Sequence, residues 1–90
     1  MPELTTGAAA IASYEQALAI AREIGDRRGE GNYTYNTACA HALLNHTAEA
    51  CAWLEKAIAL DVKHRQMALT DTDFDPIRAT PCFQALLPPE

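Results

Sequence analysis

Apolar residues recur along this chain with the three-and-four spacing of amphipathic helices. The first run predicts a helix over residues 8–24, whose single buried stripe comprises Ala10, Ile11, Tyr14, Ala17, Leu18, Ala21 and Ile24. Gly25 follows the last periodic residue, where a helix commonly ends in the left-handed conformation. Residues 25–31 carry three glycines and four charges, which predicts a loop.

Two further helices are predicted at residues 32–44 and 48–60. The earlier one carries two apolar stripes, which is typical of a helix packed between neighbours. Asn45 can adopt the left-handed turn that ends it, and Thr47 can cap the helix that follows. The later one has one apolar face, formed by Ala50, Trp53, Leu54, Ala57, Ile58 and Leu60.

The regular pattern stops after Asp61. Short cap helices are predicted within residues 62–87, because Asp75 and Thr80 each precede a proline that can occupy the first turn of a helix. We expect these helices to close the apolar end of a stack. The chain as a whole, residues 1–90, is then predicted to be a single all-α domain.

Two segments of the chain are offset copies of each other, 40 positions apart. Small residues fall on small ones and large apolar residues on large apolar ones: Ala10, Tyr14, Ala17, Leu18 and Ile20 correspond to Ala50, Leu54, Ala57, Ile58 and Leu60. A repeat with a period of this size is typical of stacked helix pairs, and such arrays mostly bind other proteins.

These positions resemble the tetratricopeptide repeat (TPR) family. Its second helix has alanine, then an aromatic or leucine four residues on, then alanine, and both copies above match that pattern. In the preceding helix, Tyr35 and Ala38 match, whereas His41 replaces the usual tyrosine, Asn45 the usual glycine, and Val62 the proline that often ends a repeat. The resemblance implies an α-α superhelix fragment of the longer-period variant. The fragment would hold about one and a half repeats of helix hairpins and a C-terminal cap. A generic alanine-rich helical bundle is the alternative.

The resemblance implies a non-catalytic scaffold or adaptor that binds a peptide or protein on its concave face. By position in the family, the expected partner-binding residues are Asn32, Tyr35, Asn36, Cys39, Ala42 and Leu43. A homo-oligomerising structural unit is the second interpretation, and a small-molecule or metal site at the Cys39–His41 edge is the third. The tail resembles segments that end such arrays in bacterial proteins, which implies a bacterial, cytoplasmic protein.

The first predicted helix resembles the second helix of a repeat, yet no first helix precedes it. Either a longer array or another chain would supply the surface that is lacking. Ala10, Ile11 and Tyr14 would otherwise be partly exposed, and an exposed apolar patch usually marks an interface. We therefore predict self-association through these residues, as a homodimer joined by its first helices.

The charge balance narrows the possible partners. The net charge is −5 with a pI near 5.0, and no cluster of lysine or arginine is available to neutralise phosphates, so nucleic acid is not expected. No apolar run is long enough to span a membrane, so no membrane partner is expected either. An acidic surface beside an uncharged groove favours a neutral or basic, apolar partner segment.

The residues capable of chemistry do not form a recognisable site. Cys39, His41, His46 and Cys51 lack the spacing of metal ligands, and Cys39 and His41 point to different sides of one helix. Asp71, Asp73 and Asp75 have the spacing of the first ligands of a calcium-binding loop. The glycine and the final glutamate that such a loop needs are not found at the positions that follow. We therefore expect no cofactor, no metal and no enzymatic activity. Three cysteines without a framework spacing predict free thiols in a reducing cytoplasm.

Overall fold

The computed structural model describes residues 7–87, and over that range it is entirely helical, with no strand. It contains five α-helices and one 3-10 helix, the latter at Thr72–Ile77. The α-helices are α1 (Gly7–Ile24), α2 (Arg27–Leu43), α3 (Thr47–Leu60), α4 (Lys63–Thr70) and α5 (Pro81–Leu86). The predicted domain over residues 1–90 therefore includes nine residues, 1–6 and 88–90, that lie outside the described range.

The connection between α1 and α2 is shorter than the predicted loop. Gly25 has a φ of 76° and ends α1, and its N–H bonds to the Arg22 carbonyl at 3.3 Å. Helix α2 begins at Arg27, five positions before the predicted start, because the Asp26 carboxylate accepts a hydrogen bond from the Gly29 amide at 2.9 Å. The prediction of a loop at residues 27–31 was wrong, since one capping aspartate outweighs the glycines there.

A tight turn joins α2 to α3. Asn45 adopts a φ of 61°, and the His46 amide donates to the His41 carbonyl at 2.9 Å. Thr47 is the first residue of α3, and His46 holds the capping position without a side-chain cap bond. The expectation that Thr47 caps α3 was therefore wrong by one residue.

Helix α2 lies at the centre of the molecule, in contact with α1, α3 and the 3-10 helix. Alanines line its crossing with α3 and let the two backbones approach closely: Ala38, Ala42, Ala50 and Ala57 are all fully buried. Larger side chains fill the space towards the C-terminal segment, chiefly Leu54, Phe74, Ile77 and Phe83. Because so little of the core is large, each of these side chains contributes strongly to its stability.

The C-terminal segment is held in place by Arg78. Its guanidinium donates to three backbone carbonyls, those of Ala68 at 3.2 Å, Leu69 at 3.0 Å and Asp71 at 2.6 Å. These bonds cap the end of α4 and fix the 3-10 helix against it. Asp75 and Pro76 lie inside that 3-10 helix, so the prediction that they start a helix was wrong. Pro81 does begin α5.

Two of the three cysteines are paired. Cys51 of α3 and Cys82 of α5 form a disulfide with a Cα–Cα distance of 6.2 Å, whereas Cys39 remains a buried thiol. The prediction of three free thiols was therefore wrong. The pairing also removes the support that three free thiols would give to a reducing compartment.

Candidate interaction surface

The predicted concave face is largely closed. Tyr35, Cys39 and Ala42 are only 4, 7 and 0% exposed, which contradicts the expectation that they line an open groove. Tyr35 and Cys39 lie against the 3-10 helix and its cap, through Phe74 and Asp71, whereas Ala42 is in the crossing of α2 with α3. A partner could reach Tyr35 and Cys39 only by displacing the C-terminal segment.

The contact that closes this face is polar at its edge. The Tyr35 hydroxyl donates to Asp71 Oδ2 at 2.7 Å, and the Cys39 thiol donates to the same oxygen at 3.7 Å. The Tyr35 ring packs edge-on against Phe74 and stacks on His64, with centroid distances of 5.7 and 5.1 Å. Burial, reinforced by Asp71, raises the pKa of the Tyr35 hydroxyl and of the Cys39 thiol well above their usual range.

Cys39, Asp71 and Asp73 bring one sulfur and two carboxylate oxygens within 4.8 Å of one another. Their hydrogen bonds show a structural role for Asp71. One of its oxygens caps the 3-10 helix through the Asp73 amide at 3.0 Å, and the other accepts the bonds from Tyr35 and Cys39. Burial raises the pKa of the Cys39 thiol, so a metal ion would have to displace its proton on binding.

The remaining predicted partner-binding residues are accessible but separate. Asn32 and Leu43 are exposed near opposite ends of α2, and Asn36 is half-buried between them. Leu43 is 53% exposed, which is high for a leucine. These three side chains do not form a continuous groove once Tyr35 and Cys39 are covered.

A cleft of about 260 Å³ lies between the start of α2 and the start of α4. Arg27, Arg28 and Lys63 line it together with Asp61, which pairs with Lys63 at 3.9 Å. Its wall includes His64, whose Nδ1 donates to the carbonyls of Ala57 and Asp61 at 2.9 and 3.1 Å. Among the described residues, the buried Nε2 of His64 has no hydrogen-bond partner. The local charge suits an anion better than a cation.

Helix α1 leaves several apolar side chains uncovered, and the side that carries them is called here its outer face. Ala10, Ile11 and Tyr14, predicted to mediate self-association, are half-buried. Farther along the helix, Ile20 and Ile24 are 57 and 71% exposed. The sequence placed Ile24 in the buried stripe, and that was wrong because α1 packs mainly against α2, which covers only one side of it.

Ile20 and Ile24 border a shallow cavity of about 160 Å³, which Ala17 and Tyr33 also line. The periodic pattern identified these isoleucines as apolar but could not show that α1 has a single main neighbour. The repeat alignment could have indicated this exposure. It pairs α1 with α3, and α3 has neighbours on more than one side, whereas α1 packs mainly against α2.

The four residues considered as metal ligands separate into three environments. Cys39 contacts Asp71, and Cys51 is in the disulfide. His41 and His46 do converge, with their Nδ1 atoms 3.1 Å apart across the turn between α2 and α3. Partial burial, with a smaller effect from His46, lowers the pKa of His41, while Glu49 and Glu15 oppose that shift.

Comparisons with protein-family models, curated proteins and solved structures return no match to this chain. Among the helices of residues 7–87, none is long and apolar enough to cross a membrane.

Proposed function

We propose that this chain is a TPR-like helical unit that serves as a non-catalytic protein–protein interaction module. In this proposal the outer face of α1 joins a further helix. Support comes from the internal repeat and from the short turns that pack α1 against α2 and α2 against α3.

The observation that carries the proposal is a difference in burial between equivalent positions. In α3, Ala50, Leu54 and Ala57 are each 0% exposed. Their counterparts in α1, namely Ala10, Tyr14 and Ala17, are only half-buried. Helix α3 thus has a neighbour on a surface that α1 leaves open, and the open surface has the shape and small residues of a helix-packing site.

The two candidate occupants are a helix of another protein and α1 of a second copy. In the first case the chain is a scaffold or adaptor. In the second it is a homo-oligomerising structural unit, for which the exposed Ile20 and Ile24 supply an apolar strip along one helix. The net charge of −5 favours a neutral or basic helix over an acidic one in the first case.

Light scattering across a concentration series tests the second copy. Ile20→Glu places a charge on the strip, whereas Ala19→Glu, an exposed neighbour on α1, is the matched control. A dimer that Ile20→Glu dissociates and Ala19→Glu leaves intact supports self-association. A monomer at every concentration excludes it and leaves a helix of another protein as the proposed occupant.

A crosslinking experiment then tests the module itself. A photoreactive amino acid at position 24 of the whole protein in its native cell should give a discrete adduct, and the same residue at position 19 should not. Equal or absent adducts at both positions would contradict the use of this α1 surface for binding.

A further inference from the structure

His41 and His46 are brought together by the backbone of the α2–α3 turn. Asn45 folds the chain back with a φ of 61°, and the His46 amide bonds to the His41 carbonyl at 2.9 Å. The two imidazoles then face each other, with Nδ1 atoms at a hydrogen-bonding distance of 3.1 Å and ring planes tilted by 43°. A metal ion bound to both nitrogens would replace the proton that they share. The turn therefore fixes the positions from which both side chains extend.

The separation of the two nitrogens matches the bite of a single metal ion. With metal–nitrogen bonds of about 2.0–2.1 Å, two imidazole nitrogens 3.1 Å apart subtend about 100° at the ion. That angle lies between the right angle of square or octahedral coordination and the tetrahedral angle. His46 is exposed, so its ring can turn the Nδ1 lone pair towards an ion placed beside both atoms.

Two glutamates act on the pair from a greater distance. Glu49, in the first turn of α3, and Glu15, on α1, influence the His41 imidazole electrostatically, although among the described residues neither carboxylate lies within 4.8 Å of both imidazole nitrogens. Both glutamates are exposed, and their side chains are long enough to move towards a bound ion. The charges of Glu49 and Glu15 favour a cation beside His41, whereas the partial burial of its ring and the neighbouring His46 oppose one.

We propose that His41 and His46 bind a divalent transition-metal ion of the zinc or nickel class through their Nδ1 atoms, with Glu49 or Glu15 as a carboxylate ligand. The site is separate from the α1 strip and does not depend on the proposed function. Imidazole ligands select this class of ion, whereas magnesium and calcium prefer sites made of oxygen alone.

A bound ion would connect the end of α2 to the start of α3 across the turn between them. Because the folded chain holds the two histidines together and the unfolded chain does not, binding stabilises the fold and raises the melting temperature with metal concentration. The consequence is measurable without any knowledge of the partner protein.

The test is a titration of the full chain with zinc chloride, followed by calorimetry and by imidazole nitrogen NMR. The chain has three histidines, and His64 is buried, so it serves as an internal reference. We expect the Nδ1 resonances of His41 and His46 to shift together at one equivalent of zinc, while those of His64 stay in place. His46→Ala and His41→Ala should each weaken binding by at least about tenfold, because each removes one arm of the chelate.

Matched glutamate variants test the carboxylate. Glu49→Gln or Glu15→Gln should weaken zinc binding, whereas Glu55→Gln and Glu23→Gln, on the same two helices, should not. The proposal is overturned if zinc at about 1 mM does not saturate the protein. Two preorganised imidazoles act as a chelate and should bind zinc more tightly than that. It is also overturned if His46→Ala, an exposed substitution that leaves the fold intact, binds zinc as well as the wild type does.

Discussion

Gly31 shows how one missing side chain positions its surroundings. It is buried in α2, and a Cβ added there would lie 3.2 Å from Cε1 of His64, whose ring is fixed by two backbone carbonyls. Glycine inside a helix normally costs about 0.5–1 kcal/mol relative to alanine. Here that cost is offset because glycine lets the His64 ring of α4 approach α2 closely without a tight contact.

We predict that Gly31→Ala destabilises the protein by about 1–2 kcal/mol, although a typical glycine-to-alanine change in a helix is stabilising. The added methyl group would push the His64 ring by a few tenths of an ångström against the two carbonyls that fix it. Chemical denaturation measures the effect, and a double-mutant cycle with His64→Ala locates its cause. If Gly31→Ala costs as much in the His64→Ala background, the imidazole is not what the methyl group meets.

The Tyr35 hydroxyl holds the C-terminal segment over α2. We predict that Tyr35→Phe lowers the free energy of unfolding by about 1.5–3 kcal/mol, the range for a hydrogen bond to a carboxylate. The ring contacts with His64 and Phe74 would remain. Tyr33→Phe, on the same helix but without the contact to Asp71, is the control and should be nearly neutral. Equal effects of the two changes would show that the bond to Asp71 does not stabilise the fold.

Asp73 gives a prediction that depends on pH. Partial burial, with a smaller effect from Asp71, raises its pKa in the folded protein, so folding disfavours the charged carboxylate. Below the unfolded pKa of about 3.9 the carboxyl is protonated in both states and costs the fold nothing. As the pH rises through the folded pKa the carboxyl ionises, and the folded protein loses stability relative to the unfolded chain. Asp73→Asn should raise the melting temperature near neutral pH and leave it unchanged in acid.

Thermal melts of Asp73→Asn over a pH series measure this effect. Asp75→Asn is the control, because Asp75 accepts a hydrogen bond from Arg78 at 3.0 Å and should give no gain at any pH. A stabilisation by Asp73→Asn that persists in acid would assign the effect to packing rather than to charge.

At the scale of the elements, periodicity predicted α1 and α3 to within one residue at each end, because each presents a regular apolar face to a neighbour. The start of α2 was missed because the Asp26 cap and the contact between Gly31 and His64 override the local preference of glycine. The 3-10 helix was missed because Asp71 and Arg78 hold it through tertiary contacts.

The candidate surfaces depend still more on packing than on local sequence. The exposure of Ile24, the closure of Tyr35 by Asp71 and the meeting of His41 with His46 all follow from which elements come together. The repeat alignment did find the positions whose burial differs between α1 and α3. It could not show that a disulfide would join Cys51 to Cys82, since that pairing depends on where α5 lies.

The crossing of α2 and α3 is the element-scale feature most sensitive to volume. Ala57 is fully buried there, whereas Ala59, two positions on in the same helix, is exposed. Ala57→Leu should cost about 1–3 kcal/mol through overpacking, and Ala59→Leu should be nearly neutral because leucine suits a helix surface equally well. Urea denaturation of both variants decides the point. A neutral Ala57→Leu would mean that the two helices are farther apart than the structure has them.

For the molecule as a whole, the Cys51–Cys82 disulfide connects the repeat-like helices to the C-terminal segment. It closes a loop of 31 residues between α3 and α5. Helix α5 has only six residues and contributes chiefly Phe83 to the core, so the covalent bond restrains an element that is too short to be stable alone.

We predict that reduction lowers the free energy of unfolding by about 3–4 kcal/mol, as expected when a loop of this length is released in the unfolded chain. Cys82→Ser, at an exposed position, should reproduce the loss without reductant and should then be insensitive to it. Cys39→Ser separates any effect of the remaining thiol, since that variant keeps the disulfide and should stay sensitive to reductant. If reduced wild type and Cys82→Ser are as stable as the oxidised protein, packing of Phe83 and the Arg78 contacts alone hold the C-terminal segment in place.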